Sequence, residues 1–403
     1  MQIYHAMLMT MTGEPPFMGN VTVENGRITA VHAGECSPEP GDIDAMGGLL
    51  LPGFVDTHTH LGIIEDGMDF EGDDCNEATD PFMPHLRAID AVNPFDVCFS
   101  EARTRGVTTV LVSPGSANPC GGTILAMKTA GTIADEMAIA EVGMKFALGE
   151  NPKVVYDHRD ETPVTRMATA AILREGLRKA KRYQEDLDAA QSDRELTPPE
   201  PDLKSEALLP LLRGEQLAFF HCHRADDIAT ALRIAAEFSC RPVLIHATEG
   251  YRIAETLAKQ NVPAIVGPLI GARCKPELRG QTIANAASLK TAGVPIAICT
   301  DHPEVPIEYL PASAAIAKKG GLSEEDALAS LTSAAADIVG IGHRVGRIQA
   351  GLDADLQLYA PDSNPLSLEA EPIWVMIDGK LVSGNAAADH LAAIRNGGNF
   401  SNE

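Results

Sequence analysis

The sequence holds no apolar run near the roughly 18 residues needed to cross a bilayer. Its start, Met1-Gln2-Ile3-Tyr4-His5, has neither the basic flank nor the long apolar core of a secretory leader. A cytoplasmic protein with no membrane partner is the expectation. Positive charge is scarce: 32 Lys and Arg stand against 56 Asp and Glu, a formal net charge of −24. Such a chain repels a phosphate backbone, so nucleic acid is not an expected partner. The eight cysteines are scattered, with no Cys-x-x-Cys spacing. They read as reduced thiols, not as a disulfide frame or a zinc knuckle. No Gly-x-x-x-x-Gly-Lys-Ser/Thr loop supports nucleoside triphosphate chemistry. No internal repeat is evident.

What is present is an ordinary globular balance, 45% hydrophobic and 22% charged. At roughly 150 residues per domain, 403 residues allow two or three domains, or one α/β barrel with an attachment. Short β-like pieces with turns fill both ends. Asp378-Gly379, set between two apolar runs, is a strong hairpin signal. The middle alternates short apolar strands with amphipathic helices. Strands are expected at 54–56, 107–112, 144–148, 217–221, 243–246, 264–266 and 295–300. Helices are expected at 95–105, 164–188, 225–238, 251–260, 277–292 and 323–339. This alternation predicts a parallel sheet closed into a (β/α)8 TIM-like barrel, with seven of the eight strands located. The expected division is 1–52 as the first part of a small β-sandwich, 53–340 as the barrel, and 341–403 as the second part of the sandwich with a C-terminal tail. Residues 180–206, polar and rich in proline, read as a solvated helix end with a loop, or else as a lid or oligomer contact.

The chemistry is carried by strand ends. Pro52-Gly53-Phe54-Val55-Asp56-Thr57-His58-Thr59-His60 is an apolar strand ending in His-x-His. Residues i and i+2 of a strand share a side, so His58 and His60 converge at its C-terminal end. That end is the active face of an α/β barrel, and two imidazoles there suit a borderline divalent metal. Four more strands end in the same way: in Glu150, in His221-Cys222-His223, in His246, and in Thr300-Asp301. So many polar groups at a barrel mouth are costly to desolvate unless they bind something.

This ordered set resembles the amidohydrolase superfamily of metal-dependent hydrolases over nearly the whole chain. The run Gly143–Lys153 is similar to an imidazolonepropionase-like group within it. The resemblance implies that His58 and His60 bind one metal with Asp301, and that His221 and His246 bind a second. A bridge between two metals is a carboxylated lysine in many relatives and a glutamate in others. Lys145 and Glu150 compete for that part, and Glu150 is favoured because it stands at the strand's C-terminal end. His223 shares a face with His221 and is open as a ligand, a substrate contact or a hydrogen-bond donor to a ligand. The expected cofactor is one or two divalent ions per chain, zinc first, with iron and manganese as alternatives.

The implied activity is hydrolysis of a C–N bond in an amide, small peptide or cyclic amide. A metal lowers the pKa of its water toward 7 and polarises the carbonyl, while Asp301 shuttles the proton from water to the leaving nitrogen. Competing readings are a mononuclear deaminase of a heterocycle, an N-acetyl deacetylase, and a non-catalytic scaffold, which would lack ligands that are all present here. The expected partner is a small-molecule substrate, and a homo-oligomer is expected. Substrate contacts are sought at His223, at Asn118 in the glycine-rich run 113–122, and at Arg166 and Arg224, each able to clamp a carboxylate. The acidic stretch 65–80 would repel anions or attract a cationic group, or else is solvated loop.

Overall fold

The computed structural model describes residues 1–384; the end of the expected tail, 385–403, lies outside them. Five strands open the chain: β1 (Gln2–Leu8), β2 (Phe17–Glu24), β3 (Arg27–Ala33), β4 (Ile43–Asp44) and β5 (Leu49–Pro52). Eight follow as β6 (Phe54–Thr59), β7 (Val107–Val112), β8 (Cys120–Lys128), β9 (Ala138–Ala147), β10 (Leu217–Cys222), β11 (Arg241–His246), β12 (Ala264–Val266) and β13 (Ile296–Ile298). Three close it: β14 (Leu356–Tyr359), β15 (Trp374–Ile377) and β16 (Lys380–Gly384).

The two ends of the chain meet. One sheet runs β16-β15-β14-β5-β1-β2-β3, with β4 alongside β1. The antiparallel pair β5–β14, Pro52 opposite Leu356, is the join. Ile3, Val21 and Ile28 from the first strands share one apolar cluster with Leu356, Trp374 and Met376 from the last. The Asp378-Gly379 turn forms as its sequence predicts, both residues at positive φ (48° and 74°), linking Ile377 to Lys380.

The middle sheet runs in strict chain order from β6 to β13. Its strands are parallel except β8, which is antiparallel to both β7 and β9. This is the eighth strand that the alternation of strands and helices did not locate. The segment from Val112 to Cys120 is too short for a parallel crossover, which needs a dozen residues or more, so the next apolar run, Cys120–Lys128, can only fold back. Its first residues belong to the glycine-rich run 113–122, which carries no strand pattern. The barrel therefore keeps its eight strands but is mixed.

Inside it, Val55, Leu111, Phe219, Val243, Ile265 and Ala297 pack against Ala335, Ala336 and Val339. Outside, helices cover the sheet; Ala225–Phe238 turns Ile228, Ala231, Leu232, Ala235 and Phe238 inward at helical spacing. Helix Arg166–Ser192 runs four residues past the expected end. The polar stretch after it is tied back by Lys179 to Asp202 and Tyr183 to Glu206. None of the described helices is long and apolar enough to cross a membrane.

The seam between β6 and β13 positions the site. The Ser330–Leu331 segment fills it, Val55 N–H donating to Leu331 O and Ile298 N–H to Ser330 O. Nearer the C-terminal ends, buried Asp56 takes over. Its carboxylate accepts from Thr300 Oγ1 at 2.6 Å, from Thr300 N–H and from His58 N–H. Burial pushes this carboxyl up to about 7 against those hydrogen bonds. Asp301 N–H to His58 O and His60 N–H to His302 O complete the closure. The strand carrying the first histidines is thus pinned to the strand carrying Asp301.

Candidate active site

Two groups of donor side chains face one another at the C-terminal mouth of the barrel. In the first, His58, His60 and Asp301 bring their donor atoms within 4.8 Å of one another; in the second, His221, His223 and His246 do the same. Asp301 Oδ1 is 3.1 Å from His58 Nε2 and 3.5 Å from His60 Nε2. His246 Nε2 is 2.9 Å from His221 Nδ1. The His58 and His246 rings stand edge to face at 5.5 Å between centroids, so the groups adjoin.

Backbone irregularity aims these side chains. The β6–β7 register slips between Asp56 and Thr59, so alternation along β6 is broken just where the histidines begin; such bulges re-aim side chains. His246 and Asp301 both take positive φ, 70° and 58°. That is an uncommon state for non-glycine residues, one that aspartate and histidine adopt more readily than most, and functional sites often hold it in place.

Carbonyls fix the rings. His60 Nδ1–H donates to Ser113 O at 2.7 Å and His246 Nδ1–H to Gly267 O at 2.6 Å. A carbonyl can only accept, so each ring, when neutral, presents a bare Nε2 to the site. Gly267 is required for this approach, because a Cβ there would lie 2.3 Å from Cys299 O. His223 Nδ1 pairs with Thr248 Oγ1 at 2.7 Å.

The electrostatics of the second group favour ligand-ready forms. Burial drives His221 and His223 well below the ordinary imidazole value and His246 to about 4, so all three are neutral, as metal ligation requires. Burial raises the Asp301 carboxyl, but His246, His58 and His60 outweigh it and hold it well below the usual carboxylate range. His221 Nε2 and His223 Nε2 are buried with no hydrogen-bond partner. Imidazole and carboxylate donors with orphaned nitrogens are a donor set that fits a borderline divalent cation.

Lys145 and Glu150 occupy different surroundings. Lys145 is fully buried, its Nζ donating to Pro114 O at 2.9 Å with Ser113 Oγ at 3.4 Å. Its charge acts on His58, His221 and His246, and Asp301 acts on it in return, so its field reaches both groups. Burial lowers this ammonium to about 8. Glu150 belongs to neither group. Strand β9 stops at Ala147, and Glu150 opens the helix Glu150–Asp157, so the parity of a strand does not reach it. Its Oε2 accepts from Glu277 N–H, and its own N–H donates to Glu277 Oε2.

A cavity of about 300 Å³ opens onto both groups; His60, His221, His223, His246 and Asp301 line it. The other substrate contacts sought in the sequence are engaged elsewhere. Asn118 is buried and donates to Glu77 O and Asp80 O, fastening the acidic loop. Arg166 forks onto Asp227 at 2.8 and 3.1 Å, and Arg224 onto Asp226 at 2.9 and 2.7 Å. Cavity-lining residues that sequence reasoning passed over include Cys75, Asn76, Asn151, Lys275 and Gln281. None of these sits at a strand end, the signal that found the histidines.

Residues 214–382 match the model of the amidohydrolase family. An amidohydrolase from Thermotoga maritima MSB8, a solved structure, is 40% identical and superposes with a TM-score of 0.91, covering 95% of this chain and 100% of that one. The amidohydrolase tasK of Hapsidospora irregularis is 33% identical over 395 residues, 90% of this chain; the chain spans 40% of that relative's length. The 5-methylcytosine deaminase of Klebsiella pneumoniae shares the fold at 16% identity, with a TM-score of 0.56 and coverage of 96% and 98% of the two chains. With the Thermotoga protein matched end to end and the donor groups at the same mouth that family resemblance predicts, the chain belongs to the amidohydrolase family.

Proposed function

We propose that the protein is a metal-dependent hydrolase of a C–N bond in an amide, small peptide or cyclic amide. The observation that carries this reading is the pair of buried donor groups, with orphaned histidine nitrogens, opening into one cavity. His58, His60 and Asp301 would hold one cation, and His221 and His246 a second, zinc being the ion that suits nitrogen and carboxylate donors best. A divalent cation so held supplies water of lowered pKa and polarises a carbonyl.

The chain's own groups do the rest. Asp301, ionised at rest, takes the proton of the attacking water as its oxygen bonds to the carbonyl carbon. It returns that proton to the nitrogen as the C–N bond breaks, releasing an acid and an amine. The cavity admits only a small substrate. Lys145, once carboxylated, would take the bridging place in preference to Glu150, since its field reaches both groups and Glu150 is committed to Glu277.

The test is metal content with turnover. The protein as purified should carry close to two divalent ions per chain, lose hydrolysis of an amide and dipeptide panel on chelation, and regain it with zinc. One ion per chain together with turnover of a heterocyclic amine would replace this reading with a mononuclear deaminase. Full activity in the chelated protein would remove metal dependence altogether.

A further inference from the structure

Resting on the amide-hydrolase reading, we infer that the site selects substrates bearing a carboxylate, and that Lys275 is the residue that selects them. Among the described residues lining the cavity, Lys275 is the one cation. Its ammonium has three donors. One engages Asn151 Oδ1 at 3.0 Å; Glu277 Oε1 forms an ion pair with the ammonium at 3.7 Å, too long for a hydrogen bond, so donors remain for a ligand. The same Glu277 oxygen is 3.6 Å from His223 Nε2. Lys275 is therefore a single carboxylate away from the second histidine group. An amide carbonyl and a carboxylate on one small molecule can bridge that separation. Its charge is felt at His221, His223 and His246, each of which it pushes down.

Two features argue that this cation is placed for a ligand. Asn151 holds Lys275 with its carbonyl and Ser116 Oγ with its amide at 2.7 Å, and both Asn151 and Ser116 line the cavity, so the ammonium is fixed at the wall. The loop that carries it also inverts the charge of the molecule. Between β12 and the helix Asn285–Thr291, this chain of net charge −24 places Arg273, Lys275 and Arg279 against the one carboxylate of Glu277. An acidic surface repels anions, and a local basic rim at the cavity draws them in and orients them. Glu304 on the cavity wall is exposed and carries the opposite sign, so the carboxylate end of a substrate is directed to the Lys275 side.

The test uses the zinc-loaded, full-length protein. The probes are two series, N-acetyl amino acids and dipeptides, and their counterparts in which CH2OH replaces the terminal carboxylate. The wild type should favour the carboxylates by about tenfold to hundredfold in kcat/KM, the span of a charged hydrogen bond. Lys275→Gln should collapse that ratio toward one, mainly through KM, while Lys275→Arg retains most of it. Retention in the arginine variant shows that loss in the glutamine variant is not misfolding. Equal turnover of both series by the wild type, or a preference that survives Lys275→Gln, overturns the assignment. If neither series is cleaved, the amide-hydrolase reading fails and takes this inference with it.

Discussion

Two buried clusters of charged and polar groups sit at different junctions of the molecule, and they are built on opposite plans. Where the barrel meets the end sheet, Lys128 is buried among carboxylates: Asp355 at 2.5 Å, Asp353 at 3.1 Å and Asp378 at 3.6 Å. Arg344 adds a fork onto Asp353 at 2.8 and 2.9 Å. Burial raises both carboxyls, but Arg344 and Lys128 still hold Asp353 low. Each charge there has its counter-charge from the chain itself. At the barrel mouth the groups are histidines and one aspartate, with nitrogens left over. A buried polar cluster must be satisfied or it destabilises the fold. The first is complete, and the second keeps donor atoms that a cation from outside could satisfy. That difference separates a joint from a site.

The largest expected effect breaks the mouth. Asp301→Asn keeps the size of the side chain but removes the proton acceptor. It should cost about 10²- to 10⁴-fold in kcat, the span for one acid–base group, with the thermal midpoint nearly held. Near-normal turnover would take Asp301 out of the proton path. Next comes the bridge. Lys145→Met should lower bound metal by about one ion per chain, while Glu150→Gln should leave it near the wild-type level, both read by elemental analysis. The reverse order would return the bridge to Glu150.

The joint should break differently. Lys128→Met leaves Asp355 buried without its counter-charge, which by the cost of opening a buried ion pair is worth about 3–5 kcal/mol of stability. Denaturant unfolding should show that loss, while kcat per folded molecule and metal content stay near wild type. A loss of activity without a loss of stability would join the two clusters into one functional unit.

The histidine groups were readable because a chemical constraint and a geometric one coincide at strand ends. Side chains that serve the C-terminal mouth must lie at strand ends, so His58, His60, His221, His246 and Asp301 stand in the sequence as terminators of apolar runs. Both hairpin residues Asp378 and Gly379 were readable for a similar reason, since few residues tolerate positive φ. The surroundings of Lys145 and Glu150 were not, because the register inside β9 and the helix start at Glu150 depend on where the strand stops, and apolar patterning sets boundaries only loosely. Strand β8 was hidden because strand–helix alternation extrapolates parallel crossovers, and a short connection overrides it. Lys275, Cys75 and Gln281 lie on loops whose path no local pattern fixes. The arginine clamps were sought by residue type alone, and an arginine finds any nearby carboxylate as readily as a ligand's.

Those arginines give the smallest and most discriminating comparison. Arg166 shields Asp227, which is only 2% exposed and whose carboxyl burial raises. Arg166→Ala should therefore cost about 1–3 kcal/mol, as a buried acceptor loses its partner. Arg224 meets Asp226 at the surface, their side chains 35% and 53% exposed. Solvent screens that pair, so Arg224→Ala should shift stability by no more than about 1 kcal/mol. Neither change should alter KM for a carboxylate-bearing amide, because both guanidinium forks are already filled by the chain. A rise in KM in either variant would show that the fork opens to substrate and would move carboxylate recognition away from Lys275.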